Sequence, residues 1–286
     1  MARRQLTASD AFELRQALHV ATLDALVSSR RWEPGTLIFQ GGTSLHLAHG
    51  SPRFSEDLDF LVSSSIRLDS IANTVRVRLQ GTAWLPADTS LSVSKAKDGR
   101  NPHTFVVTIS GAEVLGAVRV KVELWQAPAD ALAGIALVVA PVRLARGPAA
   151  GMQAFVPTAS LSEIHADKVF ALAARPYLKP RDVFDLHWLA SQGGAGPCRA
   201  DDMQARLAAY PNETPEAWLG KALARRSELA SLDALTHIAN DLRRWLPPSW
   251  PVDAASAAAM AGTAVAALDH GIESMREVCI RPGGHP

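Results

Sequence analysis

The apolar spacing of this chain changes once, near Thr158, and that change limits the folds open to it. Before it, apolar residues stand in short runs or alternate with polar ones, the spacing of strands. Val118-Arg119-Val120-Lys121-Val122-Glu123-Leu124 is the clearest case. Its valines and Leu124 share one face, and Arg119, Lys121 and Glu123 share the other. From Ser160 onward Ala, Leu and Arg recur at helical spacing, with obvious breaks at 193–197 and 247–251. A chain divided in this way reads as α+β: a mixed sheet with flanking helices in residues 1–157, then a mostly helical part in 158–286. With 286 residues, 48% of them hydrophobic, it can bury one large core or two smaller ones.

The first part reads element by element. Ser9 or Asp10 is placed to cap a helix carrying Phe12, Leu14, Leu18 and Leu26. Trp32-Glu33-Pro34-Gly35 breaks it. Residues 37–39 form a buried strand, 45–49 a short helix stopped by Gly50, and 58–62 a second apolar strand. Residues 66–80 look helical. Strands follow at 91–93, 104–109 and 118–125, with turns at Asp98-Gly99 and Gly111. Residues 127–156 read as irregular with short apolar runs.

Composition excludes some classes. Lys and Arg number 29 against 28 Asp and Glu, so the net charge of +1 argues against non-specific coating of nucleic acid. A local basic surface remains compatible with that total. Cys198 and Cys279 lie far apart without CxxC spacing, which predicts two free thiols rather than a disulfide scaffold or zinc site. No apolar run behind Arg3-Arg4 is long enough for a signal peptide, and none elsewhere spans a bilayer. The expectation is a soluble, cytoplasmic protein with no membrane partner.

The chemistry concentrates in Gly41 to Phe60, GGTSLHLAHGSPRFSEDLDF. Gly41-Gly42 stand between a strand and a helix start, where backbone N–H groups can approach a phosphate without Cβ interference. Thr43 or Ser44 can add a hydroxyl donor. Asp57 and Asp59 are two apart on an expected strand, so both carboxylates point to one face. Two such carboxylates repel each other and resist burial, and a divalent cation such as Mg²⁺ answers both problems. Each part alone has a plain alternative: a tight turn for Gly-Gly, a solvated edge or helix cap for Ser-Glu-Asp-Leu-Asp. Joined in one short span, they favour the phosphate-and-metal reading. Glu123 is a candidate third carboxylate, although its segment alone reads better as an ordinary half-exposed strand with a Lys–Glu pair.

A third segment runs from His165 to Leu186. Lys168 and Arg175, seven apart, share a helix face. Pro180 suits the start of the next helix and would put Asp182 and Asp185 in its first turn, where acids favour the helix dipole. Arg181 with Asp185 would then be an ordinary i,i+4 pair.

These residues resemble the AbiEii/AbiGii-type nucleotidyltransferase toxins, the group that includes the mycobacterial MenT toxins. The resemblance rests on Gly41-Gly42-Thr43-Ser44-Leu45, on Arg53-Phe54-Ser55-Glu56-Asp57-Leu58-Asp59, on Lys168 with Ala171-Leu172 and Arg175, and on Arg181-Asp182-Val183-Phe184-Asp185-Leu186. It spans residues 38–190. It implies a polymerase-β-type nucleotidyltransferase fold, with the helical domain completing the cleft. It implies transfer of a nucleoside monophosphate from an NTP to an RNA acceptor, in related toxins the tRNA 3′ end. A separately encoded antitoxin is the implied partner. Asp57 and Asp59 would bind Mg²⁺, joined by Glu123. Gly41, Gly42, Thr43, Ser44, Ser55 and Lys168 would hold the triphosphate, Ser55 being a site of phosphorylation in some relatives. Lys168 and Asp182 would be catalytic.

Two rival functions stay open at this level: the same fold with a protein or small-molecule acceptor, and a catalytically silent binding protein. Arg225-Arg226, Arg243-Arg244, Lys179 and Arg181 could give RNA a positive surface, or be solvated helix faces. Trp188, Trp218, Trp245 and Trp250 could stack bases, although core packing suits them better.

Overall fold

The computed structural model describes residues 4–81, 85, 89–95, 101–111, 114–144, 147, 149–193, 196–210 and 212–281. The chain divides into two compact units. The first takes Met1–Gly50, Glu56–Leu132 and Leu137–Thr158; the second takes Ser51–Ser55, Ala133–Ala136 and Ala159–Pro286.

The sheet elements are β1 (Arg4–Gln5), β2 (Leu37–Gln40), β3 (Leu58–Ser63), β4 (Thr89–Lys95), β5 (His103–Gly111), β6 (Val114–Leu115), β7 (Ala117–Ala127), β8 (Leu137–Arg143) and β9 (Gln153–Ala159). Among them run α1 (Ala8–Val27), α2 (Gly41–Leu47), α3 (Ile71–Gln80) and the short α4 (Ala129–Ala133). The main sheet is mixed and seven-stranded, ordered β4-β5-β7-β3-β2-β9-β8. β3 lies inside it, antiparallel to β2 and parallel to β7. Alternation in β7 comes out as expected: Val118, Val120, Val122 and Leu124 are buried. They join a core built from Leu18, Leu23 and Leu26 of α1, Val75 and Leu79 of α3, and the packed rings of Phe39 and Phe60. Each such side chain, fully buried, contributes roughly 1.5–3 kcal/mol.

Three readings change. Thr7, not Ser9 or Asp10, caps α1: its hydroxyl accepts from the Asp10 N–H, and the Asp10 carboxylate accepts from the Thr7 N–H. Asp10 is thus the other half of a capping box, which shifts the helix start by a turn's fraction. Second, α2 begins at Gly41 itself rather than at Leu45. Third, residues 127–156 are not irregular, since they hold β8 and most of β9. Pro141 interrupts the strand pattern in the sequence, but β8 is an edge strand, where a missing N–H is tolerated. β5 closes at Gly111 as expected; the Asp98-Gly99 turn lies outside the described residues.

The second unit is helical: α5 (Leu161–Ala174), α6 (Pro180–Ser191), α7 (Ala200–Ala209), α8 (Pro215–Leu229), α9 (Leu232–Leu242) and α10 (Ala254–Ile280). Ser160, Thr214, Ser231 and Asp253 cap four of them through their side-chain oxygens, and Pro180 opens α6. α10 packs against all the others. At Gly271 a Cβ would come within 2.7 Å of Val169 and 3.2 Å of Trp218, so only glycine lets α10 approach this closely. Trp218 is wholly buried and donates its indole N–H to the Phe170 carbonyl at 3.0 Å. Arg225 donates to the Leu172 and Arg175 carbonyls at the end of α5, satisfying groups the helix leaves open. Cys198 and Cys279 are free. Among the described residues, no helix is long and apolar enough to cross a membrane.

Candidate active site

In the first unit the expected acids gather at one place. β3 begins at Leu58, so Asp57 lies just before the strand and Asp59 is its second residue. Asp59 is the register partner of Glu123 across the parallel β3–β7 pair. Adjacent register positions put both side chains on the same sheet face, about 4.8 Å apart along the ladder. Lys121, two residues before Glu123, shares its face. Its Nζ lies 3.2 Å from Asp57 Oδ2 and 3.1 Å from Glu123 Oε1. All three side chains are partly open to solvent: Asp57 43%, Lys121 39% and Glu123 32%. Desolvation pulls the Lys121 ammonium down, but the hydrogen bond to Glu123 and the charge of Asp57 prevail and raise its pKa.

Gly41 closes the other side of Asp59. Its φ is +77°, and a Cβ there would stand 2.6 Å from Asp59 Oδ2. The carboxylate therefore occupies the space a side chain at 41 would need, and the backbone angle excludes other residues as well.

The stretch before Asp57 is held by its backbone. Thr43 donates its hydroxyl to the Asp57 carbonyl, and His19 Nε2 donates to the Glu56 carbonyl at 2.8 Å. Arg15 pairs with the Glu56 carboxylate at 2.7 Å. His19 continues to the Gln16 side chain, which meets His46 Nε2 at 2.7 Å. Complete burial drives the His19 pKa down to about 4, so the ring is neutral at ordinary pH. The hydroxyls of Thr43 and Ser44, expected as phosphate donors, point inward instead. Both residues are fully buried, and Ser44 Oγ lies 2.5 Å from Thr158 Oγ1, which itself donates to the Phe39 carbonyl. Their protons are already committed to fastening α2 onto β3 and β9.

The second unit holds a different charge group. Arg53 and Asp185 make a bidentate pair, Nε to Oδ1 at 2.6 Å and Nη2 to Oδ2 at 2.8 Å. Lys168 Nζ sits between Asp182 Oδ1 at 2.7 Å and Asp185 Oδ2 at 2.8 Å. Arg175 Nε reaches Asp182 Oδ2 at 3.1 Å, an ion contact without hydrogen-bond alignment. Both aspartates are 0% exposed, Arg53 2% and Lys168 6%. Burial alone would lift the Asp182 carboxyl, but Lys168 and Arg175 hold it well below the usual carboxylate range. For Asp185 burial is likewise overcome, by Arg53 and Lys168. Burial would also discharge Lys168, yet the two aspartates raise its pKa. Only Asp182 falls in the first turn of α6. Arg181 does not pair with Asp185; its guanidinium stacks 4.1 Å from the Trp245 ring. Ser55 ends the segment that Arg53 anchors and is half-buried.

The expected basic surface is smaller than the sequence promises. Arg225 is buried, Arg226 pairs with Asp269 at 2.6 Å, and Arg244 pairs with Asp241. Lys179 is half-buried, and that burial brings its pKa down to about 8. Trp188 and Trp218 are core residues.

Among the described residues, no group of three or more His, Cys, Asp or Glu stands at metal-binding distances. The donors nonetheless fit a hard divalent cation: Asp57, Asp59 and Glu123 offer carboxylate oxygens alone, and a positive charge, the Lys121 ammonium, already lies between two of them. Sequence reasoning took Lys121 as a neighbour of Glu123 and passed over its contact with Asp57, although the Arg119-Lys121-Glu123 alternation put it on that face. Arg53 and His19 had no legible signal, because their partners lie 132 and 37 residues away.

Comparison with known proteins gives the family and the fold. The family model described as nucleotidyl transferase AbiEii toxin, type IV toxin–antitoxin system, matches residues 24–258. Among solved structures, the nucleotidyltransferase toxin MenT4 of Mycobacterium tuberculosis is similar at a TM-score of 0.57 and 18% identity, covering 93% of this chain and 89% of its own. JHP933 from Helicobacter pylori is similar at a TM-score of 0.51 and 18% identity, covering 96% and 97%. No curated protein matches the sequence.

Proposed function

We infer the reaction from one premise: the chain belongs to the AbiEii nucleotidyltransferase toxin family. That makes it a nucleotidyltransferase of the toxin–antitoxin kind, with an NTP as donor and an antitoxin as partner. We propose that it moves a nucleoside monophosphate from the NTP to an RNA hydroxyl, at the tRNA 3′ end, with Mg²⁺. The observation that carries the proposal is the meeting of Asp57, Asp59 and Glu123 at the β3–β7 ladder, half-exposed beside Gly41.

Asp57, Asp59 and Glu123 would hold the cation. When bound, Mg²⁺ supplies Lewis acidity toward the triphosphate and toward the attacking hydroxyl. Glu123 would complete that shell or orient the hydroxyl and take its proton as the new P–O bond forms. Pyrophosphate leaves as the bond from the α-phosphorus breaks. Gly41, half-buried at the start of α2, would meet the phosphates through its backbone, while Gly42 behind it is buried. Lys168 would hold the triphosphate and Asp182 would be the second catalytic acid, as the resemblance implies; without substrate each is buried against opposite charge, tying α5 to α6.

The test is incubation with each labelled NTP in turn, with Mg²⁺ and either total tRNA or total protein. Label in tRNA, lost in Asp57→Ala, is the expected result. Label appearing in protein alone, or an Asp57→Ala variant that labels like wild type, would overturn it.

A further inference from the structure

The ammonium of Lys121 stands where a site for a divalent cation has its charge. It touches Asp57 and Glu123 at 3.2 and 3.1 Å, on strands that also bring Asp59 into register. Two cations cannot share these carboxylates at contact distance, because like charges a few ångströms apart repel strongly. The side chain is 39% exposed on a four-carbon stem, so it is free to leave. Once it leaves, it needs another anion, and the triphosphate is the anion that arrives with the divalent cation.

We propose that Lys121 exchanges partners during loading: it holds Asp57 and Glu123 in the free protein, yields them to the divalent cation, and then contacts the triphosphate. The proposal rests on the nucleotidyltransferase reading above. It gives one residue two effects of opposite sign. Lys121 weakens binding of the cation alone and strengthens binding of the nucleotide with its cation. Cation loading without nucleotide is thereby kept low, and the two ligands become coupled through one side chain.

The experiment measures Mn²⁺ binding to the full chain by electron paramagnetic resonance, without nucleotide. Binding of a non-hydrolysable NTP analogue is then measured at saturating Mn²⁺. Wild type is compared with Lys121→Met, which keeps the stem, and with Lys121→Arg, which keeps the charge. Lys121→Met should bind Mn²⁺ about tenfold more tightly, the effect of two half-exposed ion pairs released together. It should bind the analogue several-fold more weakly, while Lys121→Arg stays near wild type in Mn²⁺ affinity. Mn²⁺ binding by Lys121→Met that is unchanged or weaker would overturn the placeholder role. Unchanged analogue affinity would overturn the phosphate contact. A wild type that binds neither Mn²⁺ nor the analogue with Mn²⁺ would sink the nucleotidyltransferase reading itself, and so is distinguishable from failure of the Lys121 inference alone.

Discussion

The two charge groups of this protein use the same residue types under opposite conditions. At the β3–β7 ladder the Asp57 and Glu123 carboxylates share the half-exposed Lys121 ammonium, two anions to one cation, and water reaches all three. In the helical unit Asp182 and Asp185 are sealed from solvent against Lys168, Arg53 and Arg175, so positive charge exceeds negative. Excess charge left in water costs little and can be met by an incoming ligand. Charge in a dry interior must be met on the spot by fixed opposite charges, and the surplus cation here falls to Arg175, whose side chain is 35% exposed. The difference separates a group open to an incoming ligand from one that ties α5, α6 and the Ser51–Ser55 segment together, although both stand in Asp-containing motifs of one sequence.

Substitution should break this contrast into its parts. The largest effect is expected at Asp57→Ala: a fall of about a thousandfold or more in NTP incorporation, with the thermal midpoint nearly unmoved because the residue is half-exposed. Asp185→Ala should do the reverse, costing about 3–5 kcal/mol in denaturant unfolding by leaving Arg53 and Lys168 buried without a shared partner. If Asp185→Ala unfolds at the wild-type denaturant concentration, the buried group is not structural in the sense argued here.

Acid should act on the two units in sequence. His19 is neutral when folded, with a pKa of about 4 against 6.5 unfolded, so unfolding takes up a proton between those values. Its contribution is present above pH 6.5 and is lost as the pH falls towards 4, about 3 kcal/mol in all. Asp182 and Asp185 have depressed pKa values, so their contribution persists there and fades only below the ordinary carboxylate range. A thermal midpoint that does not drop between pH 6.5 and 4, or that drops equally in His19→Gln, would refute this order. The smallest effect belongs to Gly41→Ala, about 1–2 kcal/mol from its positive φ. Because its methyl group would also press on Asp59, incorporation should fall more than stability does; equal losses would remove Gly41 from the site.

Much of this was legible in the sequence, and the gaps share a cause. The strand-to-helix change at Thr158 and the alternation of β7 are local patterns, and each is found where its period puts it, whereas Asp57 lies just before β3 rather than on it. What escaped depends on tertiary pairing. Asp57 and Asp59 could be read as a pair, but that Asp59 lies opposite Glu123 follows from a strand register no spacing encodes. The Thr43 and Ser44 hydroxyls look available until Thr158 and the Asp57 carbonyl arrive beside them. Arg53 sits inside a motif that draws attention to its aspartates, and its burial is decided by a helix more than a hundred residues later. Pro141 hid β8 because a proline reads as a break unless the strand is known to be an edge.

The anchoring of Arg53 has a bearing on how such genes can be shuffled. Five residues of the helical unit, Ser51–Ser55, are encoded within the sheet unit, and the guanidinium is synthesised 132 residues ahead of the carboxylate it needs. A crossover at the Thr158 boundary would therefore pair one parent's arginine with another parent's aspartates. Descendants that keep both must inherit them as a set, so the two halves of the gene are bound to travel together.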